Sequence, residues 1–202
     1  MSNRHNPDHH HRRSMRLPGW DYRTQAYYFV TICTHQREHL FDNVILAELA
    51  ASRWQVIPNH DRTRGVILDE WVVMPNHLHG LLLLPGRNAV GDDIEEAILP
   101  GLPFDMRYSS PNTGSTERPK SLPSGSLGAI IGNYKSVVTR QINAIRRSPG
   151  HRVWQRGYYD RVVRNHHELE KIRIYIRENP ARWAEDRENL ELLLERMTYR
   201  DR

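Results

Sequence analysis

A chain of 202 residues, 38% of them hydrophobic, can bury a core of its own as one domain of ordinary size. Its one cysteine, Cys33, excludes an intrachain disulfide and any thiolate-built zinc cluster. The formal net charge of +5, with arginine well ahead of lysine, favours polyanionic partners, nucleic acid first among them.

The first residues, 1–19, read as a basic N-terminal leader. Met1 to Leu17 carry no apolar stretch of the kind a secretory signal needs. The run Leu81 to Leu84 with its flanks is too short to span a bilayer. The expected setting is therefore cytoplasmic, with no membrane partner.

From Tyr27 the sequence Tyr-Tyr-Phe-Val-Thr-Ile-Cys-Thr is rich in β-branched and aromatic residues and predicts a first strand. Asn43 is a natural cap for a helix over Val44 to about Val56, whose Ile45, Leu46, Leu49, Ala50 and Trp54 recur at helical spacing. A second strand is expected over about Val66–Met74 and a third over His77–Leu84. Only Pro75-Asn76 separates them, so they should form an antiparallel hairpin. Residues 86–125 are dominated by Pro, Gly, Ser, Asn and charge, and read as a partly disordered insertion. The carboxylates of Asp92, Asp93, Glu95 and Glu96 within it are expected to be solvated.

A helix is predicted from about Leu127 to Ile145, burying Ile130, Ile131, Tyr134, Val137, Val138, Gln141 and Ile142. Val153 to Val163 reads as a fourth strand. A last core helix runs from about His167 to Glu178, stopped by Asn179-Pro180, and residues 184–202 suggest a C-terminal helical tail. The order strand–helix–strand–strand–helix–strand is the split βαβ, ferredoxin-like arrangement. It predicts an α+β fold over residues 20–183, an antiparallel sheet with helices on one face.

The chemistry starts at His77-Leu78-His79. On a strand, positions i and i+2 share a face, so the two imidazoles would point together and could hold a divalent ion. Spacing alone proves little: with 12 histidines, chance supplies roughly 0.7 such pairs, and His9 with His11 is another. On the last helix, Tyr175 and Asn179 are four apart and share a face. One reading makes Tyr175 a half-buried packing residue; the other aims its hydroxyl at the histidines, with Asn179 adding an oxygen ligand.

Three pieces, Met74-Pro75-Asn76-His77-Leu78-His79, Val153-Trp154-Gln155-Arg156-Gly157-Tyr158-Tyr159-Asp160 and Tyr175-Ile176-Arg177-Glu178-Asn179-Pro180, occur in this order. Together they resemble the single-tyrosine HUH transposases, and more narrowly the REP-associated tyrosine transposases of bacteria. The resemblance spans about Met15 to Trp183. It implies a ferredoxin-like fold, His77 and His79 as the paired metal ligands, Asn179 as the third, and Tyr175 as the nucleophile. It also implies Mg²⁺ or Mn²⁺ and, as substrate, single-stranded DNA carrying a palindromic hairpin, cut through a 5′-phosphotyrosine by a monomer or a homodimer. The segment at 86–125 is longer than the family pattern leads one to expect.

Other tyrosines compete for the nucleophile's place, Tyr134 foremost, then Tyr158 and Tyr159; neither Tyr134 nor the strand pair has an amide one turn downstream. Candidate phosphate contacts are Arg12, Arg13, Arg16, Lys135, Arg140, Arg146, Arg147, Arg161 and Arg164, with Trp154 available for base stacking. Besides a DNA nicking and joining enzyme, two readings stay open: a non-catalytic nucleic-acid binder on the same fold, and a metal-dependent phosphodiesterase in which water replaces Tyr175.

Overall fold

The computed structural model describes residues 19–86 and 124–183. The leader up to residue 18, residues 87–123 of the expected insertion and the tail at 184–202 lie outside the described residues. The elements in chain order are β1 (Ala26–Cys33), α1 (Val44–Gln55), β2 (Ile67–Met74), β3 (His77–Leu84), α2 (Leu127–Ile145), β4 (Tyr159–Val162) and α3 (His166–Glu178). The strands form one antiparallel sheet in the order β2-β3-β1-β4, which is the ferredoxin-like topology the sequence predicts.

Local chemistry sets the helix starts. The side chain of Asn43 accepts from the amides of Ile45 and Leu46, Ser126 from that of Ala129, and Asn165 from that of Glu168. Each satisfies donors that a first helical turn leaves open. Met74 pairs directly with His77, so Pro75-Asn76 is a two-residue turn, and β3 enters the sheet with its histidines already in register.

The sheet is buried on both faces, and β3 is buried at all eight positions. Tyr28, Val30, Ile32, Leu78, Leu82 and Leu84 belong to one cluster with Leu46, Ala50 and Trp54 of α1 and Ile131, Tyr134, Val138 and Ile142 of α2. The two crossover helices thus share a face, as expected. The last helix takes the other: Leu169, Ile172 and Ile176 of α3 pack on Phe29 and Leu81. Alternation along a strand forces this division, because Phe29 and Leu81 point away from their neighbours Tyr28 and Leu82.

Gly80 sits where α1 presses closest. A Cβ built there would lie 2.2 Å from the Trp54 ring, so only glycine lets that indole lie against β3. On β2, the register slips between Leu68 and Trp71: Leu68 pairs with Leu82 and Trp71 with Gly80, leaving Asp69 and Glu70 together opposite Leu81. This bulge returns Trp71 to the α1 face and gives Val72 to the α3 face.

The expected strand over 153–163 is shorter. Gly157 has φ +78, and only Tyr159–Val162 pairs with β1; Trp154 makes an isolated bridge to Thr34. A left-handed glycine turns the chain out of the ladder, and Lys135 holds that turn through the carbonyls of Gln155 (2.8 Å) and Gly157 (2.6 Å). Among the described residues no helix is long and apolar enough to cross a membrane.

Candidate active site

His77 and His79 leave β3 on the face that α3 covers, at the strand's first turn-proximal positions. They are 3% and 0% exposed, and their Nε2 atoms are 3.0 Å apart. Each ring is held from behind by an oxygen. Nδ1 of His77 lies 2.7 Å from Oδ1 of Asn76, and Nδ1 of His79 lies 2.8 Å from the Thr31 hydroxyl. Register explains the second contact, since Thr31 of β1 stands directly across from His79.

These partners assign the protons. An amide oxygen can only accept, so His77 carries its proton on Nδ1 and presents a lone pair at Nε2. The Thr31 hydroxyl can donate or accept, so it serves either tautomer of His79. In one, the Nε2 proton of His79 bridges to His77. In the other, two lone pairs face each other and call for a cation between them. Burial pushes the His77 imidazole down to about 4, helped by the charge of Arg37. His79 is also held well below its ordinary value, by burial first and then by His77. Both rings are neutral at pH 7, which is the form that binds metal.

The hydroxyl of Tyr175 lies 3.1 Å from Nε2 of His79 in the same chain. Its ring meets His79 edge-on at 5.2 Å and Phe29 at 6.2 Å, while Phe29 stacks on His79 at 5.4 Å. One turn later comes Asn179, the C-cap of α3 and 1% exposed. Four residues further, the indole of Trp183 sits 5.8 Å from the His77 ring and 5.7 Å from that of His39. Asn179 is thereby bracketed along the chain by the residue that touches His79 and the residue that touches His77. Among the described residues, no three His, Cys, Asp or Glu side chains cluster as a metal site.

Salt bridges fasten α3 over the pair. Arg173, two residues before Tyr175, reaches Asp69 of the β2 bulge (2.5 Å) and Glu170 (2.5 Å), and Arg177, two residues after it, reaches Glu70 (3.5 Å). The Arg173 guanidinium is raised above its ordinary value, chiefly by its bond to Asp69.

The competing tyrosines are placed elsewhere. Tyr134 is on the α2 face, buried, with its hydroxyl donating to the Ala50 carbonyl at 3.1 Å, and burial drives its phenol far above the ordinary value. Tyr158 packs against the α1–α2 cluster, whereas Tyr159 lies on the site's face, across from Thr31 and against Cys33. Trp154 is 7% exposed and packs on Phe41 and Tyr134, so it is a core residue and not a stacking platform. Of the basic candidates, Arg146 is paired with Glu38 and Arg161 with Glu168, and Lys135 is spent on loop carbonyls. Arg12, Arg13 and Arg16 lie outside the described residues. Of the residues that support the pair, Asn76 is signalled in the sequence by directly preceding His77, whereas Thr31, Arg173 and Trp183 reach the site only through folding.

No family model matches this chain. A protein of Haemophilus influenzae, described only as uncharacterized, is 33% identical over 196 residues, covering 92% of this chain and 97% of its own. The chain belongs to the family of that protein. Among solved structures, a REP-associated tyrosine transposase bound to a REP hairpin is 16% identical, with a TM-score of 0.47 over 84% of this chain and 73% of its own. That superposition is too loose to bear on the site.

Proposed function

We propose that this chain is a metal-dependent transposase that nicks and rejoins single-stranded DNA beside a palindromic hairpin. The observation that carries the reading is the Tyr175 hydroxyl 3.1 Å from Nε2 of a buried, neutral histidine pair. The motif resemblance supplies the substrate class.

His77, His79 and Asn179 would hold the ion. Their donor set, two imidazoles and an amide, suits Mn²⁺ and tolerates Mg²⁺, which alone would favour oxygen. When bound, the ion supplies Lewis-acid polarisation of a phosphate oxygen. The remaining chemistry belongs to side chains of this chain. Tyr175 attacks phosphorus; its Oη–P bond forms as the bond from phosphorus to the 3′-oxygen breaks. The phenol loses one proton and the departing 3′-alcohol gains one, so the step is proton-neutral overall. A phosphodiester is exchanged for a phosphotyrosine, and a 3′-hydroxyl can therefore reverse the step and join strands. Phe29 and α3 shield the histidine pair from bulk water, and the Asn76 and Thr31 contacts hold both rings for ligation.

Incubation of the full chain with a hairpin-bearing single strand and Mn²⁺, followed by denaturing electrophoresis, tests the reading. A covalent protein–DNA band is expected, absent from Tyr175→Phe and from the His77→Ala, His79→Ala double variant. Cleavage that survives Tyr175→Phe would favour water as nucleophile, and tight binding without cleavage would favour a binding-only protein.

A further inference from the structure

We propose that the cavity between α1 and α2, on the sheet face opposite the histidine pair, is a second binding site. Its ligand class is a small organic anion, an oxyanion head on a compact apolar body. This goes beyond the functional reading above and does not depend on it.

The cavity holds about 290 Å³, close to the lower end of sites that take organic ligands. One wall is the end of α1 and the chain that follows. Two short 3-10 turns, Ile57–Asn59 and Asp61–Thr63, fold that chain back on itself, with the Thr63 amide donating to the His60 carbonyl at 2.8 Å. The other wall is one face of α2, where Ile130, Asn133, Tyr134 and Val137 recur three and four residues apart. Val56 and Ile57 meet Ile130 and Val137 across the space, so the lining is apolar on both sides.

Two of the polar groups in the lining are already engaged. The Tyr134 hydroxyl donates to the Ala50 carbonyl at 3.1 Å, and the Thr63 hydroxyl is taken by the carbonyls of Ile57 and His60. Arg53, His60 and Asn133 are the others. Nε of Arg53 is buried and has no hydrogen-bond partner among the described residues. No aspartate or glutamate lines the cavity to offset the guanidinium. A buried N–H of a charged group is unfavourable without an acceptor, because it has given up water and gained nothing. An oxyanion in the cavity supplies both the acceptor and the opposite charge. The planar fork of arginine suits a carboxylate and a phosphate alike. The apolar walls add the second requirement, since they gain from a hydrocarbon body and nothing from a bare ion.

The test titrates the full chain, without metal or DNA, with benzoate and with phenyl phosphate, one probe for each head. Saturable 1:1 binding of either is expected by calorimetry. Benzamide keeps the shape of benzoate without its charge, and inorganic phosphate keeps a charged head without the body; both should bind about 10-fold more weakly or worse. Arg53→Gln should weaken the probes by about 10- to 100-fold, the usual worth of hydrogen bonds to a charged group. In wild type, the methyl resonances of Ile57, Ile130 and Val137 should shift during the titration, while those of Leu81 and Ile172 under α3 stay in place. These shifts need no variant, so they locate the site even where Arg53→Gln fails to fold. Four results each overturn the inference: no saturable binding of either probe, equal binding of benzamide or inorganic phosphate, unchanged affinity in a folded Arg53→Gln, and shifts confined to the α3 face. Failure of the DNA adduct assay leaves the cavity untouched, and failure of the probes leaves the role of Tyr175 untouched.

Discussion

The Tyr175 hydroxyl and Nε2 of His79 are 3.1 Å apart although 96 residues separate them along the chain. Two elements create that contact, β3 by presenting His79 on the α3 face and α3 by packing Ile172 and Ile176 on Phe29 and Leu81. The consequences can be checked one by one.

Thr31 holds the rear nitrogen of His79. Thr31→Val keeps the shape of the side chain and removes the hydroxyl, leaving Nδ1 buried without that partner. Mn²⁺ affinity should fall about 10- to 100-fold, the usual effect of losing such an outer contact. Calorimetric titration of Mn²⁺ into the variant measures it; unchanged affinity would mean that His79 does not ligate.

The Arg173–Asp69 pair should matter more for position than for stability. Both groups are partly exposed, so breaking the pair with Arg173→Gln should cost only about 1 kcal/mol in urea unfolding. Adduct formation should drop further than that small loss of folded protein explains. The charge swap of Arg173→Asp with Asp69→Arg should recover part of the rate, and a swap no better than either single change would show that the contact does not position α3.

Gly80→Ala should destabilise the fold by about 1–3 kcal/mol, because the new methyl group overlaps the Trp54 ring. Trp54→Leu makes room, so the two changes together should cost less than the sum of each alone. Additive losses in thermal melts would contradict the packing described.

Acid should destabilise the metal-free protein through the histidine pair. His77 titrates at about 4 when folded and near 6.5 when unfolded, so the unfolded chain binds more protons between those values. Its contribution is present above pH 6.5 and is lost as pH falls through about 4, a span of roughly 3 kcal/mol by linkage. His79, depressed further, adds in the same direction. With chelator present, His77→Ala should flatten the fall in stability between pH 6.5 and 4 seen by urea unfolding.

Much of this was legible in the chain because it is local. The β3 run beginning at His77, the Asn43-capped α1 helix and the i, i+4 relation of Tyr175 to Asn179 are written in neighbouring residues. What escaped depends on long-range packing. Which face α3 covers is decided by Phe29 and Leu81, whose alternation is readable but whose partner is not. The β2 bulge at Asp69-Glu70 has no strand-breaking residue to announce it and is set by Trp71 and Val72 each finding its face. Trp154 reads as available for base stacking, and only its packing on Phe41 and Tyr134 shows that the indole belongs to the core.

The most direct test is to digest the covalent protein–DNA adduct and identify the modified peptide by mass spectrometry. The account predicts a 5′-phosphate-linked nucleotide on Tyr175. A nucleotide on Tyr134 or Tyr159, or a free 5′-phosphate with no protein attached, would contradict it.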